Sequence, residues 1–268
     1  MNKTLVDAKL IESMRRDWDE RARKDAYFYI ATWRKDWDAT SFFKSGEEDY
    51  ERLVSPVLEH LKFLTHGKTM LELGCGTGRM TRTFAQKFSR VLGFDVSHEM
   101  LDRARLLNDG IDNITWVQGN GADLSNIISG SVDFVFSYLV LQHLPAENLV
   151  HSYIREILRV LANGGICLFQ FNGTPEKFMN WKGRLAWGAI DLLWSMRLNW
   201  ASRSAARMLG MDPEMAGNSW HGVGVKSENV SQTINSNGGA VLECSGVNTA
   251  MAWCCARRTY PSTGVRVE

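Results

Sequence analysis

Met70-Leu71-Glu72-Leu73-Gly74-Cys75-Gly76-Thr77-Gly78 is an apolar run that carries one acid and ends in three glycines at alternate positions. The run reads as a short strand, and the glycines as a sharp turn from it into a helix. Glycine takes φ > 0 without strain and, having no Cβ, lets backbone N–H groups approach a bound molecule closely. A turn of this kind suits a nucleotide-like ligand. A pyrophosphate site leaves the turn and the helix dipole free for an anion, whereas Glu72 puts a carboxylate at the end of the strand, where it suits a ligand carrying positive charge.

Three further stretches follow in order. Arg90-Val-Leu-Gly-Phe-Asp95-Val96-Ser reads as a second short strand ending in an acid, 21 residues after Gly74. Ile114-Thr-Trp-Val-Gln-Gly-Asn120-Gly121-Ala-Asp123 reads as a third, and Ser131-Val-Asp133-Phe-Val-Phe-Ser137-Tyr138-Leu-Val-Leu-Gln142-His143-Leu-Pro145 as a fourth with its loop. The glycine turn alone is weak evidence. Together the four resemble the ordered motifs of the class I S-adenosylmethionine-dependent methyltransferases, of the bacterial small-molecule type, over about residues 68 to 172 and the closing elements.

That resemblance implies an α/β fold: a doubly wound, Rossmann-like, mostly parallel seven-stranded sheet with an antiparallel last strand, an N-terminal helical cap and a helical insertion after the fifth strand. It implies S-adenosylmethionine as cofactor, a molecule with an ammonium, a sulfonium and no phosphate. By position in the motifs, the cofactor-binding candidates are Glu72, Gly74, Cys75, Gly76, Gly78, Asp95, Val96, Asn120, Gly121, Ser137 and Tyr138. Asp95 falls where the family's second acid receives both ribose hydroxyls, and a carboxylate, which only accepts, can take two donors. Asn120 stands where many relatives have aspartate; its carboxamide can still accept from an adenine amino group and donate to a ring nitrogen, with Asp123 as the fallback. Cys75 is read as a packing choice, not a nucleophile.

Periodicity divides the chain into an N-terminal helical cap over 1–66, a cofactor-binding core over 67–172, a helical substrate lid or insertion over 173–225 and the C-terminal part of the core over 226–268. Within the cap, Met14, Trp18, Ala22, Ala26 and Tyr29 make one stripe of an amphipathic helix, or of two, in residues 5 to 38. Similar enzymes lay such a helix over the cofactor cleft; packing of its aromatics on the sheet is the alternative. A second helix is predicted over 48 to 65, with Leu64 on its apolar stripe. Helices are expected at 79–88, 98–108 and 146–161, the last stopped by Asn163-Gly164-Gly165, and at 227–235 with Ser227 as N-cap. Ile166 to Phe171 reads as an unbroken apolar strand in the middle of a parallel sheet. Residues 240–247 and 249–256 read as the closing strand pair around Asn248. Strand–helix alternation puts a ligand at the carboxyl ends of the strands.

The insertion carries Trp181, Trp187, Trp194 and Trp200, with six Lys/Arg against the single acid Asp191 between Lys177 and Arg207. On a helical projection Trp187, Ile190, Trp194, Leu198 and Ala201 share a stripe and Leu185, Leu192 and Met196 make another nearly opposite. A helix apolar on two sides needs two partners: the domain body on one, and on the other a substrate, a second copy in a homodimer, or a membrane surface touched peripherally through 177–209. Burial of both stripes in the chain's own core is the bland alternative.

The 268 residues balance 31 basic against 30 acidic side chains, and a net charge of +1 offers no general field for nucleic acid. No stretch nears the roughly 18 apolar residues of a membrane span, and the five cysteines show no C-x-x-C pairing. A cytoplasmic protein with reduced thiols and no metal is expected.

Methyl transfer is an in-line displacement for which the cofactor carries the reactivity and the protein supplies alignment. A base is needed only where the nucleophile holds a proton. His143 is the first candidate, because its position in the motif faces the methyl group in similar enzymes and an ordinary imidazole titrates near neutrality; backbone bonding alone is its structural alternative. His221 and Tyr138 complete the catalytic candidates, and Tyr29, Trp187, Trp194, Trp220 and His221 the substrate candidates. The expected activity is methylation of oxygen, nitrogen or sulfur on a small, fairly apolar or lipid- or sugar-linked acceptor. An RNA or protein methyltransferase, and a non-catalytic protein that uses the fold for binding or assembly, are the alternatives.

Overall fold

The computed structural model describes residues 8–174, 188–190, 192, 193, 196, 198–208 and 222–259. Seven strands form one sheet: β1 (Thr69–Leu73), β2 (Arg90–Asp95), β3 (Ile114–Gln118), β4 (Val132–Ser137), β5 (Leu161–Phe171), β6 (Gly239–Ser245) and β7 (Ala252–Arg258), in the order β3-β2-β1-β4-β5-β7-β6. The pairs β1–β2, β2–β3, β1–β4 and β4–β5 are parallel, while β7 runs antiparallel to both β5 and β6. The order reverses between β1 and β4, which opens a crevice at their carboxyl ends.

Alternate residues of each strand feed opposite faces. Leu71, Leu73, Leu92, Phe94, Val135, Cys167 and Phe169 meet α6 (Glu147–Val160) through Ile154, Ile157 and Leu158 on one side. Met70, Val91, Phe134, Phe136, Ile166 and Leu168 meet Tyr50, Val54, Leu58 and Phe84 on the other. Burial on both sides is why the central strands are apolar throughout. Burying side chains of this size contributes about 1.5–3 kcal/mol each before chain entropy is subtracted.

The cap contains α1 (Ala8–Ile30), α2 (Ala39–Leu53) and α3 (Ser55–His60). Asp25 leaves helical geometry (φ −164°, ψ 87°) and its Oδ1 accepts from the Phe28 amide, so α1 is two helices joined at a side-chain cap. Its stripe packs Ala22 and Ala26 against Met100 of α5 (His98–Leu107), and Ser97 Oγ donates to Asp19 at 2.6 Å. The cap is therefore tied to the loop after β2.

Four expectations are corrected. The helix predicted over 48–65 begins at Ala39, capped by Asp38 on the Ser41 amide, and breaks at Val54 before Pro56; Leu64 lies beyond it, 80% exposed. The glycines at 164 and 165 do not stop α6, which ends at Val160 because Leu161 is buried and pairs with Val132. They form a bulge inside β5, where the register against β4 passes from Val132–Leu161 to Phe134–Ile166 and Gly164 takes φ 79°. Lys226, not Ser227, is the N-cap of the helix Ser227–Asn235. The run Ile166–Phe171 is not wholly apolar, since Gln170 is buried within it without exposure.

Candidate active site

The glycine turn takes left-handed backbone at Gly74 (φ 76°), Gly76 (φ 54°) and Gly78 (φ 84°). Gly74 and Cys75 both donate backbone N–H to Phe94 O, at 2.7 and 3.0 Å, which locks the turn to the end of β2. Asp95 then closes the clamp: Oδ2 accepts from Gly76 N and Oδ1 from Ser97 N, each at 2.8 Å. Burial pushes the Asp95 carboxyl up to about 6, against the lowering by these backbone donors.

A cavity of about 340 Å³ opens at this end of the sheet. Its sheet-side wall is Leu73, Gly74, Gly76, Phe94, Asp95 and Val96. Facing it are Met14, Trp18, Tyr29, Ile30 and Thr32, and its rim is the stretch Tyr138–Leu144 after β4, joined by Met100, Tyr153, Asn172 and Ala250. The two walls touch closely: a Cβ on Gly74 would lie 2.2 Å from Val140 Cγ2, and one on Gly76 2.7 Å from Ile30 Cδ1.

Of the sequence candidates, Gly74, Gly76, Asp95, Val96, Tyr138, Tyr29 and His143 line this cavity. The others occupy places behind or beside it. Glu72 is buried behind the turn, where it accepts from Thr81 Oγ1; burial raises its carboxyl to about 8, with Thr81 and Arg79 pulling the other way. Cys75 is buried, its thiol raised well above the ordinary value by desolvation. Gly78 abuts Asn108 and Trp116, Gly121 abuts Ile11, and Ser137 Oγ donates to Leu73 O at 3.1 Å. Asn120 is turned into its own loop, accepting from Ala122 N and Asp123 N and donating to Asp123 Oδ1. An asparagine two or three residues before free amides folds back on them in this way. Trp187, Trp194, Trp220 and His221 lie outside the described residues.

His143 sits in the 3-10 turn Leu141–His143, 9% exposed, with its ring edge-on to Trp18 at 5.5 Å. Tyr138 is stacked on Trp253 at 5.4 Å. The sequence reading did not single out Leu139, Gln142, Tyr153, Asn172 or Ala250 as part of the site. Leu139 has φ 59°, a left-handed conformation that no composition signal announces in a leucine. Among the described residues, no group of three His, Cys, Asp or Glu is placed to hold a metal ion, and no helix is long and apolar enough to cross a membrane.

Residues 71–169 match the family model described as a methyltransferase domain. An uncharacterised methyltransferase of Synechocystis sp. is 32% identical over 136 residues, 51% of this chain and 60% of the relative. The trans-aconitate 2-methyltransferase of Azoarcus sp. is 31% identical over 162 residues, 56% of this chain and 60% of that protein. The chain thus spans about 60% of the length of these curated relatives. Among solved structures, the magnesium protoporphyrin IX methyltransferase of Synechocystis, crystallised with bound SAM, superposes with a TM-score of 0.57 over 97% of this chain and 100% of that one, at 16% identity. A likeness at that identity concerns the fold.

Proposed function

We propose that the chain is a class I S-adenosylmethionine-dependent methyltransferase, which the match of residues 71–169 to a methyltransferase domain supports, and that it methylates oxygen, nitrogen or sulfur of a small acceptor held against α1. The observation that carries this reading is Asp95: a buried carboxylate, fixed by two backbone N–H donors, lining a cavity under a glycine turn. Each of its oxygens keeps accepting capacity, as adjacent ribose hydroxyls require. Phe94, Val96 and Met100 beside it are apolar flanks for a flat base. The residues present fit the cofactor.

When bound, the cofactor supplies a methyl group made electrophilic by the sulfonium. The chain's own part is alignment and exclusion of water. Ile30 closes over Gly76 and Val140 over Gly74, so the turn faces side chains instead of solvent. Met14, Ile30, Val140, Leu141 and Leu144 line the cavity beside the aromatic rings of Trp18, Tyr29 and Tyr138, which favours a fairly apolar acceptor. The trans-aconitate enzyme among the relatives supports a small molecule in that place.

The insertion supports the same reading. It leaves the sheet after Phe171 at the cavity's end and returns at Gly222, where a Cβ would fall 2.0 Å from Gln142 O. Val223 and Val225 then donate backbone N–H to Leu144 O and Asn172 O, at 3.0 and 2.8 Å. These contacts of the described ends support reading the insertion as the acceptor's lid; residues 175–187 and 209–221 lie outside the described residues. Calorimetry with S-adenosylmethionine, followed by single-turnover assays with labelled methyl across phenol, carboxylate, amine and thiol acceptors, tests the proposal. Saturable cofactor binding and label transfer to one class are expected. Absence of cofactor binding overturns it; binding without transfer to any class points to the non-catalytic alternative.

A further inference from the structure

Gln170 is fully buried near the carboxyl end of β5. Its Oε1 accepts from Leu139 N at 3.2 Å, and its two Nε2 hydrogens are shared among three acceptors, Phe171 O at 2.9 Å, Ala250 O at 3.0 Å and Gln142 Oε1 at 2.9 Å. One side chain thereby holds the left-handed Leu139, the turn between β6 and β7, and Gln142 on the rim. None of these backbone partners can exchange roles: an amide N–H only donates and a carbonyl only accepts. Flipping Gln170 would set its oxygen against two carbonyls and its NH2 against an N–H. Its orientation is fixed.

The constraint passes on. A Gln142 NH2 turned to Gln170 Nε2 would set donor against donor, so Gln142 turns its oxygen there and its own Nε2 toward His143 Nε2, 3.1 Å away. Facing an N–H2 donor, His143 Nε2 is the acceptor nitrogen, and a neutral imidazole with that nitrogen bare carries its proton on the other.

We infer that Gln170 is a positioning residue that, through Gln142, sets the tautomer of the neutral His143 ring, with the proton on Nδ1. With Nε2 engaged by Gln142, that nitrogen does not draw a proton from the acceptor. This revises the role of general base expected from the motif. The link to methyl transfer rests on the function proposed above; the tautomer itself does not. The edge-on Trp18 holds the ring plane. The titratable groups that line the same cavity are Asp95, Tyr29, Tyr138 and Tyr153, and the Arg21 guanidinium, which interacts electrostatically with Asp17 on α1, lies over the Trp18 ring at 5.1 Å.

Long-range 1H–15N NMR of histidine-labelled protein, with His143 assigned by difference from His143→Asn, reads the tautomer in the full chain without acceptor. Wild type is expected to show a protonated Nδ1 and a bare Nε2 in the neutral imidazole. Gln142→Glu sets a carboxylate oxygen against Nε2, and is expected to move the proton to Nε2 and raise the imidazole's titration by about one pH unit or more. Gln170→Met, which frees Gln142 to rotate, is expected to give both tautomers. Should that variant fail to fold, Gln142→Glu, part-exposed at the rim, keeps the test available. A protonated Nε2 in wild type, or an unchanged tautomer in Gln142→Glu, overturns the inference. Wild type with the expected tautomer but no cofactor binding would sink the methyltransfer reading and leave this one standing.

Discussion

The sheet-side wall of the cavity is built of backbone, the helix-side wall of side chains. On the first, Gly74, Gly76, Asp95 and Val96 come from 23 consecutive residues, and their contacts are amide donors and left-handed turns. On the second, Trp18 and Tyr29 come from α1, His143 from the turn after β4, Tyr153 from α6 and Ala250 from the β6–β7 turn. A wall made of backbone tolerates few substitutions because its geometry is the function. A wall made of side chains can be re-cut for another acceptor while the turn beneath it stays the same.

That contrast makes Gly74 the most sensitive position. Gly74→Ala combines φ 76° with a Cβ 2.2 Å from Val140 Cγ2, so strain and overlap add. A loss of about 2–4 kcal/mol is expected, read as a melting temperature lower by about 5–15 °C. The double variant Gly74→Ala/Val140→Ala should recover the overlap part only. Gly110→Ala is the control: φ 81° with nothing within 4 Å, hence strain alone and a smaller loss. Equal losses at the two glycines would show that Val140 does not press on the turn.

Asp95 breaks the comparison next, since it is the one polar side chain among the sheet-side residues that line the cavity. Asp95→Asn can keep one oxygen for a backbone donor but loses the charge. Cofactor affinity is expected to fall about 10- to 100-fold by calorimetry, the worth of one charge-assisted hydrogen bond. An unchanged affinity would remove Asp95 from the cofactor site.

The same contrast explains what was legible. The first strands and the glycine turn follow from short-range pattern, because each strand lies beside a turn residue that marks its end, and the antiparallel last strand follows from the resemblance those motifs carry. The rest depends on distance in sequence. Leu161 joins β5 only because Val132, 29 residues earlier, receives it, which no helix stop signal shows. Asn120 bonds within its own loop, so its motif position did not place it on the cavity. Gln170 hid in an apolar strand, although a lone amide near the carboxyl end of a buried parallel strand is itself a signal, because it needs partners that only the fold supplies.

Glu72 sharpens the view from behind the turn. With its carboxyl raised to about 8, chiefly by burial, the neutral form is favoured in the folded chain. A pKa raised on folding gives stability that is complete below the unfolded value and is lost as pH rises through the folded one. The cofactor-free protein is therefore expected to lose up to about 1.4 kcal/mol per pH unit between roughly pH 4.5 and 8 from this group. Glu72→Gln, which resembles the neutral acid, should flatten melting temperature against pH over the upper part of that window. Asp95 adds a slope of the same sign up to about 6 and is unaffected by the substitution. A variant as pH-sensitive as wild type above pH 6 would place the carboxyl nearer water than its burial indicates.

The smallest effect is expected on the side-chain wall. Trp18 touches His143 edge-on and carries the Arg21 guanidinium on its ring. An edge-on aromatic contact is worth about 0.5–1.5 kcal/mol beyond area, so Trp18→Leu should raise the acceptor KM about 2- to 10-fold. Cofactor affinity should stay within about 2-fold, since Asp95, Gly76 and Ser97 keep their bonds. Steady-state kinetics on the true acceptor and calorimetry on the same preparation separate the two constants. If cofactor affinity falls as far as acceptor affinity, α1 serves both ligands and the division of the cavity into a backbone wall and a side-chain wall fails at Trp18. If kcat falls with KM unchanged, the contact matters for orienting His143 in the reaction more than for holding the acceptor.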